Sequence, residues 1–88
     1  MRFMVVFQMR PEHRPAAVTR FMDGGAPPPE GIEVLHRAHA ANCNKGFCFI
    51  ETDKAEAIAT WCHEWGGILT FEVYPVIEDE SAQKIFVS

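Results

Sequence analysis

The feature that most restricts the fold of this sequence is a pair of short segments that are apolar on both sides. Phe3–Gln8 and Phe47–Glu51 are rich in β-branched and aromatic residues, which is typical of β-strands. An antiparallel sheet with one solvent-exposed face alternates apolar and polar residues, and these segments do not alternate. Successive side chains of a strand point to opposite faces, so both faces of the resulting sheet need a cover.

The first half of the chain predicts a strand, a helix and a second strand. Pro11–Pro15 is suited to a first helical turn, where the missing proline N–H has no partner to lose. We expect this helix to end at Gly24–Gly25. A stiff, proline-rich connection follows, and Ile32–Ala40 is the second predicted strand. Ala41–Gly46 is then a hairpin loop.

The second half repeats the pattern after the strand at Phe47–Glu51. We expect Asp53 to act as the N-cap of a helix, with Glu56 completing a capping box, and Gly66–Gly67 to end it. Leu69–Val76 is the fourth strand. Ser81–Phe86 is predicted to form a short tail helix. We expect this helix to pack onto the domain through the side chains of Ile85 and Phe86.

This order predicts an α+β fold with a ferredoxin-like βαββαβ arrangement, in which helices cover one face of a four-stranded antiparallel sheet. The 88 residues are enough for one domain, so we assign residues 1–88 to it. The net charge of −4 argues against nucleic acid and anionic membranes as partners. Three cysteines and no evident signal segment or membrane span favour reduced thiols and a cytoplasmic location.

The second sheet face predicts a homodimer. Two helices cover only one face, and the economical cover for the other is a second copy stacked sheet to sheet. Met4 and Val6 of the first strand and Phe47 and Phe49 of the third are the candidate interface residues. The alternative is that the tail helix folds back over this face.

The segment Lys45–Ile50 resembles the third-strand signature of the RNA recognition motif, in which a basic residue, a glycine and aromatic rings stack on bases. Cys48 replaces the usual small residue, Thr52 replaces the third aromatic residue, and the first strand lacks the partner motif. An acidic chain also lacks the positive charge that nucleic-acid binding uses. We therefore assign Phe47 and Phe49 to the dimer interface and keep RNA binding as an alternative.

Polar candidates for a binding site lie on the second strand. Arg37 and His39 share a face, and His36 points the other way with Val34. Arg37 could bind a carboxylate and His39 could transfer a proton, so His39 is the candidate catalytic residue. The hairpin could place both on the face of Phe47 and Phe49. The structural alternative is that they pair with Glu51 or Glu72.

Two tryptophans, Trp61 and Trp65, lie four residues apart on one helix side, where they belong to the core or line an apolar pocket. The dispersed residues His36, His39, Cys43, Cys48 and His63 form no metal-binding motif, although His39 and Cys43 could meet at the hairpin end. We treat Cys48 and Cys62 as small buried hydrophobic residues. No motif predicts a metal or a cofactor, and none indicates a serine triad, a P-loop or a Rossmann fold.

Several motifs together resemble an uncharacterised bacterial family of short proteins, a domain of unknown function. They are the initial strand Met1–Val6, Pro-Glu-His-Arg at 11–14, the glycine- and proline-rich stretch at 24–31, Arg-x-His at 37–39, Glu-Thr-Asp at 51–53 and the strand at 71–76. The resemblance implies a ferredoxin-like domain of the dimeric α/β-barrel type and no established activity. Other families of that type include cofactor-independent monooxygenases, haem-degrading enzymes and lactone isomerases, an analogy of fold alone.

The sequence therefore leaves three functions open. The first is a small dimeric cytoplasmic protein that binds a small molecule or serves as an accessory protein, with Arg37, His39, His36, Trp61 and Trp65 as ligand-binding candidates. The second is a cofactor-independent enzyme of the monooxygenase or isomerase type that uses His39 as acid or base. The third is an RNA-binding module.

Overall fold

The strands and helices follow the predicted βαββαβ order in the computed structural model, which describes residues 1–88. The elements are β1 (Arg2–Met9), a 3₁₀ turn (Pro11–His13), α1 (Arg14–Met22), β2 (Glu33–His39), β3 (Lys45–Glu51), α2 (Ala55–Trp65), β4 (Leu69–Val76) and α3 (Asp79–Phe86). None of the helices combines the length and the apolar character that crossing a membrane requires.

The four strands form one antiparallel sheet in the order β2-β3-β1-β4, so the two strands that are apolar on both sides lie at its centre. Val5 lies opposite Cys48 and Phe3 opposite Ile50, and these residues point toward the helices. Met4 lies opposite Phe49 on the other face, which we call the open face. The division of β1 and β3 into two apolar faces is therefore as predicted.

The core lies between the sheet and α2. Ile50 is completely buried, and Val5 and Cys48 are nearly so. Helix α2 contributes Ile58, Trp61 and Trp65 to the same cluster, because these residues recur on the side of the helix that faces the sheet. The helix face of the sheet is thus covered by the chain itself.

A β-bulge in β2 decides which residues of that strand face the helices. The pairing shifts between Val34 and His36, so Val34 lies opposite Ile50 while Arg37 lies opposite Cys48. Leu35 is the extra residue. The expectation that Val34 and His36 share a face is therefore wrong, because it assumed an unbroken period of two.

The junction between β3 and α2 is held by Thr52 and not by Asp53. The Thr52 hydroxyl donates to the Gly31 carbonyl at 2.7 Å and accepts from the Lys54 N–H at 3.1 Å. Lys54 is the N-cap residue, and no side chain caps the helix. The predicted capping role of Asp53 is wrong, because its side chain points to solvent and pairs with the amino terminus of Met1 at 3.6 Å.

The tail helix begins at Asp79, two residues earlier than expected, and does not dock. Ile85 is 61% exposed and Phe86 is 80% exposed. The overall dimensions of 48 × 28 × 17 Å describe an elongated molecule. Docking of this helix through Ile85 and Phe86 is therefore a wrong prediction, and the helix leaves the open face of its own sheet uncovered.

One cross-strand contact depends on the absence of a side chain. Phe7 lies opposite Gly46, and its ring occupies the space above that glycine. A Cβ atom at Gly46 would overlap the Phe7 ring, far inside van der Waals contact. Glycine at this position therefore allows Phe7 to lie across the sheet.

We predict that Gly46→Ala destabilises the protein by about 1–3 kcal/mol, because Phe7 must leave its position to make room. Gly67→Ala is the matched control, since nothing lies within 4 Å of the added Cβ and the backbone is not left-handed. Its effect should stay within about 0.5 kcal/mol. Urea unfolding followed by circular dichroism measures both, and equal stability of the two variants would contradict the contact.

Candidate functional site

A cavity of about 300 Å³ lies between the helix face of the sheet and the two covering helices. Its walls are mainly hydrophobic and come from every strand and from α1 and α2. The lining residues are Val5, Phe7, Met9, Arg14, Ala17, Val18, Phe21, Ala26, Arg37, His39, Cys43, Cys48, Trp61, Trp65, Leu69 and Phe71. A cavity of this kind, apolar with a few polar groups, is the usual form of a small-molecule site.

The polar side chains in this lining are Arg14, Arg37 and His39, together with the two thiols. The bulge in β2 accounts for two of them, because it turns Arg37 and His39 toward the helices, opposite Cys48 and Gly46. No aspartate or glutamate contributes to the lining. The expectation that Arg37 and His39 share the face of Phe47 and Phe49 is therefore wrong.

Arg37 is bound to the loop that follows α1. Its two terminal nitrogens donate to the carbonyl oxygens of Gly25 at 3.2 Å and Ala26 at 3.0 Å. Both loop residues have positive φ angles, 71° and 48°, so their backbone takes the left-handed form. The guanidinium also lies 5.6 Å from the centre of the Phe21 ring. Arg37 thus ties the loop and α1 to the sheet.

The carboxylates proposed as structural partners of Arg37 and His39 are engaged elsewhere. Glu51 pairs with the amino terminus of Met1 at 3.4 Å and with Arg2 at 3.8 Å. Glu72 accepts a hydrogen bond of 2.6 Å from the Tyr74 hydroxyl. That bond is the main reason why the pKa of Tyr74 lies above its ordinary value. The expected pairing with Glu51 or Glu72 is wrong, because Arg37 uses backbone carbonyls instead.

His39 is held by aromatic rings rather than by hydrogen bonds. The edges of Phe7 and Phe21 meet it in T-shaped contacts, with ring centres 5.8 and 5.6 Å away. Its imidazole makes no side-chain hydrogen bond within the protein, so its nitrogen atoms stay available. An imidazole with free nitrogens can donate or accept a hydrogen bond to a ligand, or move a proton.

The thiols differ in position. Burial raises the pKa of the Cys48 thiol, and the neighbouring Arg37 only partly opposes this, so Cys48 stays protonated at neutral pH. Cys62 is half-buried and burial raises the pKa of its thiol too. Cys43 is exposed at the hairpin end and joins His39 in the cavity lining. No group of three or more potential metal ligands comes together.

The two tryptophans of α2 are both buried and both line the cavity. Arg20 of α1 lies 4.2 Å from the Trp65 ring centre and donates a hydrogen bond of 2.6 Å to the Glu64 carbonyl. This bridge between the two helices fixes the indole that forms one wall. Trp61 and Trp65 therefore combine the core and pocket roles that the sequence left open.

The remaining predicted site residues lie on the open face. His36 is exposed and lies opposite Phe49, so it is not among the cavity residues. Its assignment as a ligand-binding residue fails for this cavity, because the strand period turns it away from Arg37. The four interface candidates, Met4, Val6, Phe47 and Phe49, face each other in two cross-strand pairs on that open face.

Sequence analysis missed Arg14, Phe7 and Phe21 as cavity residues. Arg14 begins α1 and lies in the Pro-Glu-His-Arg motif, whose position after β1 was the available signal. Phe7 lies in the predicted strand Phe3–Gln8, and Phe21 lies in the helix predicted to end at Gly24–Gly25. Phe21 meets His39 through the packing of α1 over β2, Phe7 meets it across Gly46, and Arg14 joins them in the cavity lining.

Two solved structures share this fold. One is a protein from Deinococcus radiodurans, provisionally named an antibiotic biosynthesis monooxygenase, with 10% identity, a TM-score of 0.50, and coverage of 89% of this chain and 94% of that one. The other is Rv0793 from Mycobacterium tuberculosis, with 13% identity, a TM-score of 0.50, and coverage of 89% and 95%. At such identities the likeness concerns the fold alone.

The fold is the ferredoxin-like βαββαβ arrangement, with one four-stranded antiparallel sheet. Within that class, the chain belongs to the family described as "Domain of unknown function (DUF3303)", which it matches over residues 1–88. No match was found among functionally curated proteins. The family resemblance and the fold predicted from the sequence are thus both confirmed.

We predict that Arg37→Met loosens the loop that follows α1, because two carbonyl oxygens lose their charged donor. The free energy of unfolding should fall by about 1–2 kcal/mol, and amide hydrogen exchange at residues 24–31 should accelerate. Arg10→Met is the control, since Arg10 is exposed and its side chain makes no hydrogen bond or ion pair. Unchanged exchange in the loop would show that Arg37 does not hold it.

Proposed function

We propose that this protein is a small cytoplasmic homodimer that binds a small, largely apolar molecule between its sheet and its helices. The observation that carries the proposal is the cavity of about 300 Å³, thirteen of whose sixteen lining residues are hydrophobic. Arg14, Arg37 and His39 are the polar side chains of the lining other than the thiols. A volume of this size is at the lower end of the range found for small-molecule sites.

The need to cover the open face supports the dimer. Met4, Val6, Phe47 and Phe49 form an apolar centre on this face, and Tyr74 lies beside Met4 on the next strand. Phe47 is 36% exposed and Tyr74 is 48% exposed. Removing apolar surface from water at an interface is favourable by roughly 25 cal/mol per Å² of apolar area buried.

The polar residues around this centre also fit an interface. Gln8 and Lys45 lie opposite each other at one end, and Arg2 and Glu51 lie opposite each other at the other end. An apolar centre with a polar rim is the ordinary composition of a protein–protein interface. A second copy is the favoured occupant, because the apolar centre matches itself across a two-fold axis.

We predict that Phe49→Glu converts the dimer into a monomer, because each interface would then bury two carboxylates in place of two apolar rings. Sedimentation velocity at micromolar concentration measures the change. Ala59→Glu is the control, since Ala59 is exposed on α2 away from the sheet. A wild-type protein that sediments as a monomer would overturn the dimer. Binding of single-stranded RNA by that monomer would then favour the alternative use of Phe47 and Phe49.

We predict that a ligand from a metabolite library raises the thermal unfolding temperature of the wild type and not of Ala17→Leu. Ala17 is buried and lines the cavity, so a larger side chain takes up ligand space. Ala16→Leu, at the exposed neighbouring position, should respond like the wild type. Circular dichroism checks that both variants are folded. The binding proposal fails if no compound stabilises the wild type.

A second candidate function is an enzyme that needs no cofactor, and the position of His39 supports it. His39 is exposed to solvent, and an imidazole without a protein partner that lines an apolar cavity can take a proton from a bound molecule. The name of the Deinococcus protein suggests oxygenation as one such chemistry. Turnover of the stabilising compound, lost in His39→Gln while binding persists, would separate the enzyme from the binding protein.

A further inference from the structure

We propose that the ligand is a singly charged anion with an apolar body, and that Arg14 binds its charged group at the mouth of the cavity. This inference rests on the proposed binding function and specifies the class of ligand. It also moves the anion-binding role from Arg37, where the sequence placed it, to a residue of α1.

The charge distribution gives the first argument. The chain has twelve acidic residues and a net charge of −4, yet none of the acidic residues lines the cavity. Its polar side chains other than thiols are Arg14, Arg37 and His39. A site built from such donors, with no carboxylate to compete, favours an acceptor that carries negative charge.

Arg37 is already committed to the protein. Both of its terminal nitrogens donate to carbonyl oxygens of the Gly25–Ala26 loop. Turning Arg37 toward a ligand would break both bonds and leave those carbonyl groups without their donor. Two of the five N–H donors of Arg37 are thus used to hold the loop, so its orientation is fixed by the protein and its main contribution to the cavity is positive potential.

Arg14 is not committed in this way. Its one side-chain hydrogen bond reaches Asn44 Oδ1 at 3.5 Å, the outer limit for such a bond. Arg14 forms no ion pair, and the first turn of α1 has no acidic residue. A guanidinium that is exposed, unpaired and part of the cavity lining can form a bidentate contact with a carboxylate or a sulfonate.

The ligand should carry a single charge because one uncommitted arginine is present, and a second anionic group would enter an apolar space unpaired. The walls suit a flat apolar body. Phe7, Phe21, Phe71, Trp61 and Trp65 supply aromatic rings around the cavity. His39, held between Phe7 and Phe21, can donate a further hydrogen bond to the same molecule.

A pair of fluorescent probes tests this directly. 1-Anilinonaphthalene-8-sulfonate and N-phenyl-1-naphthylamine share the same ring system and differ by the sulfonate group. At low salt we expect the sulfonate to bind the wild type about three- to tenfold more tightly, a modest gain because Arg14 is exposed. Arg14→Gln should abolish that preference and leave the neutral probe unaffected, whereas Arg10→Gln should change neither affinity.

The variants also separate this inference from the proposed function. If both probes bind but the preference survives in Arg14→Gln, the role of Arg14 is overturned while the binding cavity stands. A preference lost in Arg37→Lys and kept in Arg14→Gln would return the role to Arg37. If neither probe binds, or if Ala17→Leu binds both as well as the wild type does, then probe binding in the cavity fails, and this inference fails with the proposed function.

Discussion

The pairing of β1 with β3 at the centre of the sheet is the contact on which the rest of the molecule depends. Val5 and Cys48 face the helices, and Met4 and Phe49 face away, so one pairing places apolar side chains on both sides. The helices bury one side and form the cavity above it. The uncovered side is the face proposed for the dimer. The proposed binding site and the proposed dimer surface are therefore two faces of the same strand pair.

Specific contacts fix the walls of the cavity in position, so the side chains around it do not close the space. Phe7 lies across Gly46 and occupies one part of the floor. Arg37 fixes the loop that follows α1, and Arg20 joins α1 to the end of α2 beside Trp65. Both arginines bind backbone carbonyl oxygens, so the tethers do not depend on carboxylates. The walls are therefore tied together without an acidic residue in the cavity lining.

Most of the fold followed from local pattern, and the details of the site did not. Strand and helix order follow from apolar periodicity and from glycine and proline positions, which are local signals. The bulge at Leu35 places Val34 and His36 on opposite faces of the sheet. No residue type at this position predicts a bulge. Local pattern also does not predict that Arg14 lines the cavity, because this depends on the packing of α1. Likewise, the apolar residues of α3 predicted docking, but the helix is exposed.

The contrast between an acidic chain and a cavity without acidic residues has a kinetic consequence. At a distance, an anion meets a molecule of net charge −4 and is weakly repelled. Within about one Debye length of the cavity mouth, roughly 8 Å at physiological ionic strength, the attraction of Arg14 and Arg37 prevails. Added salt screens both effects, so it speeds the encounter and also speeds the escape. For the proposed anionic ligand, capture is thus governed by residence time rather than by long-range steering.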